Sequence, residues 1–366
     1  MKIGIIGAGQ LGRMLALAGF PLGLEFRFID RSADTSGGRV APIRVGELDD
    51  VGLLTELARE VDVVTFDWEN VSAGGLAAIE AHATVLPPAA ALAASQDRLA
   101  EKELFRRLRI PTPEFAAVAS RTDLERAVAL IGLPGVLKTC RLGYDGRGQR
   151  VLRKPTELAA AWQELGGQDL IYESFVNFSR EVSLIGARSR SGEMRFYPLA
   201  ANVHREGILS HSIAPYSHRA LQRLAERHMR SVFAHFAYVG VLAIEFFVVR
   251  GRLFANEMAP RVHNSGHWTI EGAMTSQFEN HLRAILGWPL GSTAATGHSA
   301  MLNFIGRMPD RTRWLKEPNL SYHDYGKQPR ERRKLGHCTV LEATATRRDL
   351  RLKGLLRLRE RSISVG

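Results

Sequence analysis

VGVLAIEFFVVRGRLFANEMAPRVHNSGHWT, residues 239–269, is the stretch whose reading decides this chain. Two apolar, β-branched and aromatic runs are separated only by Arg250-Gly251, the pattern of a hairpin with a glycine-containing turn. Glu245 interrupts the first run between Ile244 and Phe246. Glu257, with Asn256 beside it, lies on the returning strand. A buried carboxylate without a partner is costly. Two on neighbouring strands repel unless a cation sits between them. Mg²⁺ takes hard oxygen ligands and commonly joins one or two carboxylates to nucleotide phosphates. The plain alternative is that strand alternation turns one acid to solvent. Against it stands RVHNSGHW, residues 261–268, which gathers Arg, two His, Asn, Ser and Gly directly after the second strand. Such a turn suits an anionic substrate held near a phosphate donor.

Working outward, VLKTCRLGYDGRGQRVL at 136–152 reads as strand, glycine-punctuated loop, strand. Gly143, Gly146 and Gly148 let backbone amides approach phosphate oxygens. Lys138 offers a point charge and Arg147 a charge-assisted donor. The spacing does not fit a Walker loop, and an ordinary hairpin turn remains open for the loop alone. In YESFVNFSREVSL, 172–184, Glu173 ends one apolar strand and Glu181 begins the next. Each could contact a nucleotide or be a solvated strand end.

The first ninety residues alternate strand and helix: KIGIIGAG, a helix over QLGRMLALAGFPLG, LEFRFID, LLTELARE, VDVVTFD. This predicts parallel strands with crossover helices. Gly7, Gly9 and Gly12 form G-x-G-x-x-G, and Asp30 stands where a ribose-binding acid belongs, which taken alone reads as dinucleotide binding. Any phosphate would satisfy the same glycines, so the fingerprint yields to the apparatus downstream. Ser95 is the expected N-cap of a helix through DRLAEKELFRRLR, ended by Pro-Thr-Pro at 111–113. Further helices are expected near 218–236 and 270–287, and the last seventy residues read as a small mixed domain.

The chain has 366 residues, 45% hydrophobic, enough for two or three domains. No apolar run approaches a membrane span, and no secretory signal is visible, which points to a cytoplasmic protein with no membrane partner. Two cysteines cannot build a disulfide framework. The net charge of +11 is concentrated in PRERRK at 329–334 and in the run from Arg347. With no helix-turn-helix, zinc-finger or RNP motif, the charge reads as a solvated basic face, and no nucleic-acid partner is expected.

GAGQLGRM, SQDRLAEK, GYDGRGQ, NFSREVSLIGAR, YPLAANVHREGIL, APRVHNSGHWT and KLGH together resemble the ATP-grasp superfamily, and within it the 5-(carboxyamino)imidazole ribonucleotide synthase family, along nearly the whole chain. The resemblance implies an α/β chain (α+β in the centre). A Rossmann-like domain would cover 1–95, and an ATP-grasp domain 96–292 with a lid near 115–175. A small C-terminal domain would follow at 293–366. It implies ATP- and bicarbonate-dependent carboxylation of the amine of 5-aminoimidazole ribonucleotide through carboxyphosphate, in purine synthesis, by a homodimer. The alternatives are another ATP-grasp carboxylate–amine ligase or an NAD-dependent oxidoreductase; the non-enzyme alternative is a basic nucleic-acid-binding protein.

By the same resemblance, ATP would contact Arg98, Lys138, Gly143, Tyr144, Asp145, Gly146, Arg147, Gly148 and Gln149. It would also meet Glu173, Ser174, Phe175, Val176, Glu181, His204, Asn256 and Glu257. Mg²⁺ would sit on Glu245 and Glu257. The ribonucleotide would meet Tyr144, Asp145, Arg147, Arg261, His263, Asn264 and Ser265, its phosphate held by Lys327 and Arg333 with Gln10 and Leu11. Asp145, Arg147, Lys138 and Arg261 would act in catalysis. Two residues depart from the family pattern: Leu142 replaces a usual glycine, and Asp67 stands where glutamate is common.

Overall fold

The two inner N-terminal strand runs, KIGII and VVTF, are buried on both faces, which suits a parallel sheet covered on both sides. In the computed structural model, which describes residues 1–143 and 146–363, β1 (Lys2–Ile6), β2 (Glu25–Asp30), β3 (Ile43–Val45), β4 (Val63–Phe66) and β5 (Thr84–Val85) form one parallel sheet. Its strands are parallel, as the strand–helix alternation predicts, and their order is β3-β2-β1-β4-β5. Ile3, Ile5, Val63 and Phe66 are buried in it. The chain leaves β1 at Gly7 with φ +88°, a conformation L side chains avoid, and enters the helix Gln10–Gly19.

The next four strands, β6 (Phe115–Val118), β7 (Gly135–Thr139), β8 (Gln149–Leu152) and β9 (Leu170–Ser174), make a small antiparallel sheet in the order β6-β9-β7-β8. Helices Arg121–Ile131 and Leu158–Leu165 cover it, and Leu124, Leu137, Leu152 and Tyr172 form its separate core.

The remaining strands join one nine-stranded sheet: β10 (Arg180–Arg188), β11 (Met194–Phe196), β12 (Ala200–Arg205), β13 (Ile208–Ala214), β14 (Gly240–Val249), β15 (Arg252–Ala259), β16 (His298–Ile305), β17 (Leu320–Asp324) and β18 (Lys334–Glu342). The main path runs β15-β14-β10-β12-β13-β16-β18-β17, with β11 on β10. The pairing of β13 with β16 makes the C-terminal strands an extension of the central sheet. The β14–β15 turn is a hairpin as expected, with Arg250 at φ 48° and Gly251 at φ 74°, two successive left-handed residues whose twist suits a tight two-residue loop.

Two local expectations are corrected. Ser95 ends the helix Ala89–Ser95, and the next helix, Arg98–Arg107, is capped by Asp97. The Asp97 carboxylate reaches the amides of Leu99 and Ala100 at 3.0 and 3.2 Å, whereas the Ser95 hydroxyl turns back to Leu92. The helix near 270–287 is two pieces, Thr269–Gly272 and Gln277–Leu286. Ala273 is extended and bridges Ala295, so the helix stops and restarts on Ser276, which accepts from the Glu279 amide.

Candidate active site

Register places Glu245 directly opposite Glu257 across the β14–β15 ladder. Just beside this pair, β15 carries one extra residue, since Phe246 faces Ala255 and skips Asn256. The bulge breaks strict alternation, so both Asn256 and Glu257 are partly open, while Ala255 and Met258 on either side are buried. Glu245 is closed in, with 11% of its side chain exposed, whereas Glu257 keeps 43%. Burial, with Glu257 adding to it and His204 opposing it, raises the Glu245 carboxyl to about 7. Burial acts on Glu257 in the same sense, but Arg98, Lys138 and His204 outweigh it and hold that carboxyl below its usual value. The pair is one ionised and one reluctant carboxylate facing each other. These hard oxygen donors fit a divalent cation, whose charge would remove the repulsion.

Cations converge on this pair. Arg98 lies 3.4 Å from Glu257 and also donates to the Gly143 carbonyl at 3.1 Å, joining the acid pair to the glycine loop. His204 of β12 hydrogen-bonds Glu181 of β10. Burial pushes its pKa down, but the bond to Glu181 and the nearby Glu245 and Glu257 carboxylates raise it to about 9. At neutral pH His204 is therefore a cation facing the acids.

On the small sheet, Val136 pairs with Glu173 and Lys138 with Ile171, which sets Lys138 and Glu173 diagonally on one face. The Lys138 Nζ donates to Glu173 at 2.9 Å. A second lysine, Lys102, lies 3.7 Å from the same carboxylate and donates to the carbonyls of Asn256 at 2.6 Å and Ala255 at 3.3 Å. Burial would raise the Glu173 carboxyl, yet Lys102 and Lys138 together bring it down to about 2. Its Oε1 is buried and has no hydrogen-bond partner among the described residues, leaving an acceptor for a ligand. Lys102 thus ties the bulge that carries Asn256-Glu257 to Glu173 at the end of β9. Ser174 closes β9, Phe175 and Val176 follow on the connecting segment, and the three line an open groove of about 610 Å³ with Thr112 and Arg250.

Of the glycine loop, Gly143, Gly146, Arg147, Gly148 and Gln149 are described; Tyr144 and Asp145 lie outside the described residues. Gly148 has φ +66°, and a Cβ there would stand 2.6 Å from the Thr139 hydroxyl. Leu142 takes φ 59° with 72% of its surface exposed, a left-handed conformation that favours glycine, the residue the resemblance leads one to expect there.

The turn after β15 is mostly buried. Arg261 pairs with Glu69 from the N-terminal sheet's loops and donates to the Val262 carbonyl. Its Nε is buried without a partner among the described residues. His263 is kept neutral by burial and by Arg261; its Nδ1 meets Ser265 Oγ at 2.8 Å and lies 3.9 Å from Glu245. Asn264 differs from its neighbours. Its amide nitrogen contacts Asn303 at 3.1 Å and His267 at 2.9 Å, and its oxygen accepts from Asn303 at 2.7 Å. Both hydrogens of its amide are thus engaged inside the protein, which holds the turn. Behind it, His323 stacks on His337, His267 packs against His337 at a tilt, and the Tyr325 hydroxyl meets His337 at 2.8 Å and His267 at 3.2 Å.

Two residues beyond Tyr325, Lys327 hydrogen-bonds Gln10 at the start of the first helix. Burial and the nearby Arg333 lower Lys327 to about 8. Gln10, Lys327 and Arg333 are thereby assembled from the two ends of the chain, beside the buried Leu11. Glu69, Lys102 and Glu101 were not singled out from the sequence, and Asp67 was noted only as a departure from the family pattern. For two of them a signal existed. Glu101 falls three and four residues before Leu104 and Phe105, and Lys102 three before Phe105, on the buried face of their helix, and Glu101 accepts the Met258 amide at 2.7 Å.

Residues 1–96 match the ribonucleotide synthetase preATP-grasp domain, 103–278 the ATP-grasp domain, and 299–350 the phosphoribosylaminoimidazole carboxylase C-terminal domain. The chain is 53% identical over 340 residues to N5-carboxyaminoimidazole ribonucleotide synthase of Pseudomonas aeruginosa, covering 93% of this chain and 94% of that protein. It superposes on the N5-carboxyaminoimidazole ribonucleotide synthetase of Thermus thermophilus with TM-score 0.93 and 50% identity, over 97% and 98% of the two chains. The synthase of Aspergillus clavatus, crystallised with ADP and 5-aminoimidazole ribonucleotide, superposes with TM-score 0.92 and 29% identity, over 98% of each chain.

Proposed function

This chain belongs to the N5-carboxyaminoimidazole ribonucleotide synthases, and we propose that its cleft carboxylates the amine of 5-aminoimidazole ribonucleotide using ATP and bicarbonate. The observation that carries the reading is the face-to-face pair Glu245–Glu257, ringed by Arg98, His204 and, through Glu173, Lys138.

ATP lies between the small and central sheets. Glu173 to Val176 meet the adenine and ribose, and Asn256 flanks the phosphates. Arg98, Lys138, His204 and the loop 143–149 neutralise and orient the phosphate chain, with Glu181 holding His204 protonated. Glu245 and Glu257 would hold Mg²⁺, which when bound supplies charge neutralisation on the transferring phosphoryl group. Bicarbonate attacks the γ-phosphorus, giving carboxyphosphate and ADP. Carboxyphosphate then releases CO₂ beside the exocyclic amine, which captures it, and the departing phosphate or Asp145 takes the amine proton. Arg147, Arg261, His263 and Ser265 surround the ribonucleotide; Gln10, Leu11, Lys327 and Arg333 hold its phosphate. Closure of the small sheet keeps water from the carboxyphosphate.

A cytoplasmic homodimer, with domains at 1–95, 96–292 and 293–366, completes the proposal. Among the described residues no helix is long and apolar enough to cross a membrane. The test is phosphate release from ATP and bicarbonate, with and without the ribonucleotide. Strong stimulation is expected; its absence would sink the substrate assignment.

A further inference from the structure

The glycine fingerprint of the first helix is occupied from inside the protein. Asp67 follows β4 and is buried, with 7% of its surface exposed. Its Oδ2 accepts the Gly12 amide at 3.1 Å. A Cβ added at Gly7 would stand 2.1 Å from Asp67 Oδ1, one at Gly9 2.8 Å from Oδ2, and one at Gly12 3.2 Å from Oδ2. All three glycines therefore make room for one carboxylate. Asp67 takes an inner amide of the helix end, while those of Gln10 and Leu11, at its first two positions, have no intrahelical acceptor.

The charges around Asp67 are few. Asp30, at the end of β2, repels it while accepting the Ala8 amide at 2.7 Å. Lys327, from the segment after β17, attracts it and is itself crowded by Arg333, Lys334 and Arg330. The first turn of the helix carries no acid. A phosphate on the Gln10 and Leu11 amides comes within one helical turn of this fixed carboxylate, in a buried site where like charges interact strongly.

We propose that Asp67 makes the ribonucleotide phosphate bind at this helix end together with a proton, which Asp67 takes up from solvent. The proposal rests on the function assigned above. The carboxylate becomes a carboxylic acid and no other bond changes. Its carbonyl oxygen still accepts from Gly12, so the turn keeps its shape. Protonation is within easy reach, because burial and Asp30, opposed by the Gly12 and Gly9 amides, already raise this carboxyl to about 6. Asp67 thereby tunes the subsite: phosphate affinity falls as the proton becomes scarce.

The experiment is calorimetric titration of the full chain with 5-aminoimidazole ribonucleotide at pH 7, in two buffers of different ionisation enthalpy. Wild type should take up as much as about 0.9 proton more than Asp67→Asn, the fraction of a group titrating near 6 that is still ionised at pH 7 and becomes protonated on binding. Lys327 can also gain a proton, and gains more in the neutral variant, where Asp67 no longer supports its charge, so it narrows the difference without reversing it. Between pH 7 and 8 the wild-type KM for the ribonucleotide should rise about tenfold more than that of Asp67→Asn. Asp67→Ser, smaller and equally neutral, is the second variant should the first fail to fold. Equal proton counts and parallel KM profiles in wild type and a folded neutral variant would overturn the role of Asp67. A wild-type chain that binds ATP but never the ribonucleotide would instead refute the substrate assignment, and this inference with it.

Discussion

Glutamine at position 173 keeps the shape of the side chain and removes one charge from the most closely packed ion cluster near the cleft. Lys102 and Lys138, with 1% and 11% of their side chains exposed, then share no anion. The cost can be worked from the carboxyl itself. An ordinary glutamate value of 4.5 falls to about 2 in the fold, because Lys102 and Lys138 more than offset the burial that would raise it. At about 1.4 kcal/mol per unit, that difference corresponds to about 3 kcal/mol of stability at neutral pH. Removing one partner of a buried pair costs about 3–5 kcal/mol, which agrees. The folded pKa lies below the unfolded one. The contribution is therefore complete above the unfolded value of 4.5 and is lost as pH falls through about 2. Urea titrations of wild type and Glu173→Gln should differ by about 3 kcal/mol at pH 7, and the gap should shrink by about 1 kcal/mol at pH 3.5. A deficit below about 1 kcal/mol at pH 7, or one that does not change with pH, would mean that Glu173 is not the common counter-ion of the two lysines.

Glu245→Gln and Glu257→Gln should each abolish phosphate release while leaving the circular dichroism spectrum and unfolding midpoint near wild type; activity retained in either would remove that residue from the cation site. Leu142→Gly, relieving a left-handed leucine that is 72% exposed, should stabilise the chain by roughly 0.5–1 kcal/mol, and a destabilised variant would contradict the strain argument. His204 has its pKa raised from 6.5 to about 9, against burial, by Glu181 and the cleft acids. Its stabilising contribution is complete below pH 6.5 and is lost as pH rises through about 9, so the stability deficit of His204→Gln should be present at pH 6 and absent at pH 10. A pH-independent deficit would show that the histidine is not held protonated.

Some of the site could be read before any fold was known because its signals are local. An acid inside an apolar strand, as at Glu245, contradicts its own neighbours. The glycines at 143–148 and the polar run 261–268 each break a regular pattern within a few residues. Asp67, Glu69 and Lys102 carry no such mark, or only a faint one. Their partners, Gly12, Arg261 and the Asn256 carbonyl, are 55 to 192 residues away in sequence, and no periodicity links them. Asn264 is a mixed case. Its surroundings in sequence suggest a ligand contact, and the fold adds that His267 and Asn303 engage both hydrogens of its amide.

The sequence by itself determined the parallel N-terminal sheet, the hairpin bearing Glu245 and Glu257, and the family, because each is written in contiguous residues. Tertiary structure alone decided that the glycine fingerprint encloses Asp67 and that Lys102 joins the bulge to Glu173. The physical reason is the same in each case. A charge's role depends on what surrounds it in three dimensions, and burial beside a distant partner can raise one carboxyl, as at Glu245, and lower another, as at Glu173.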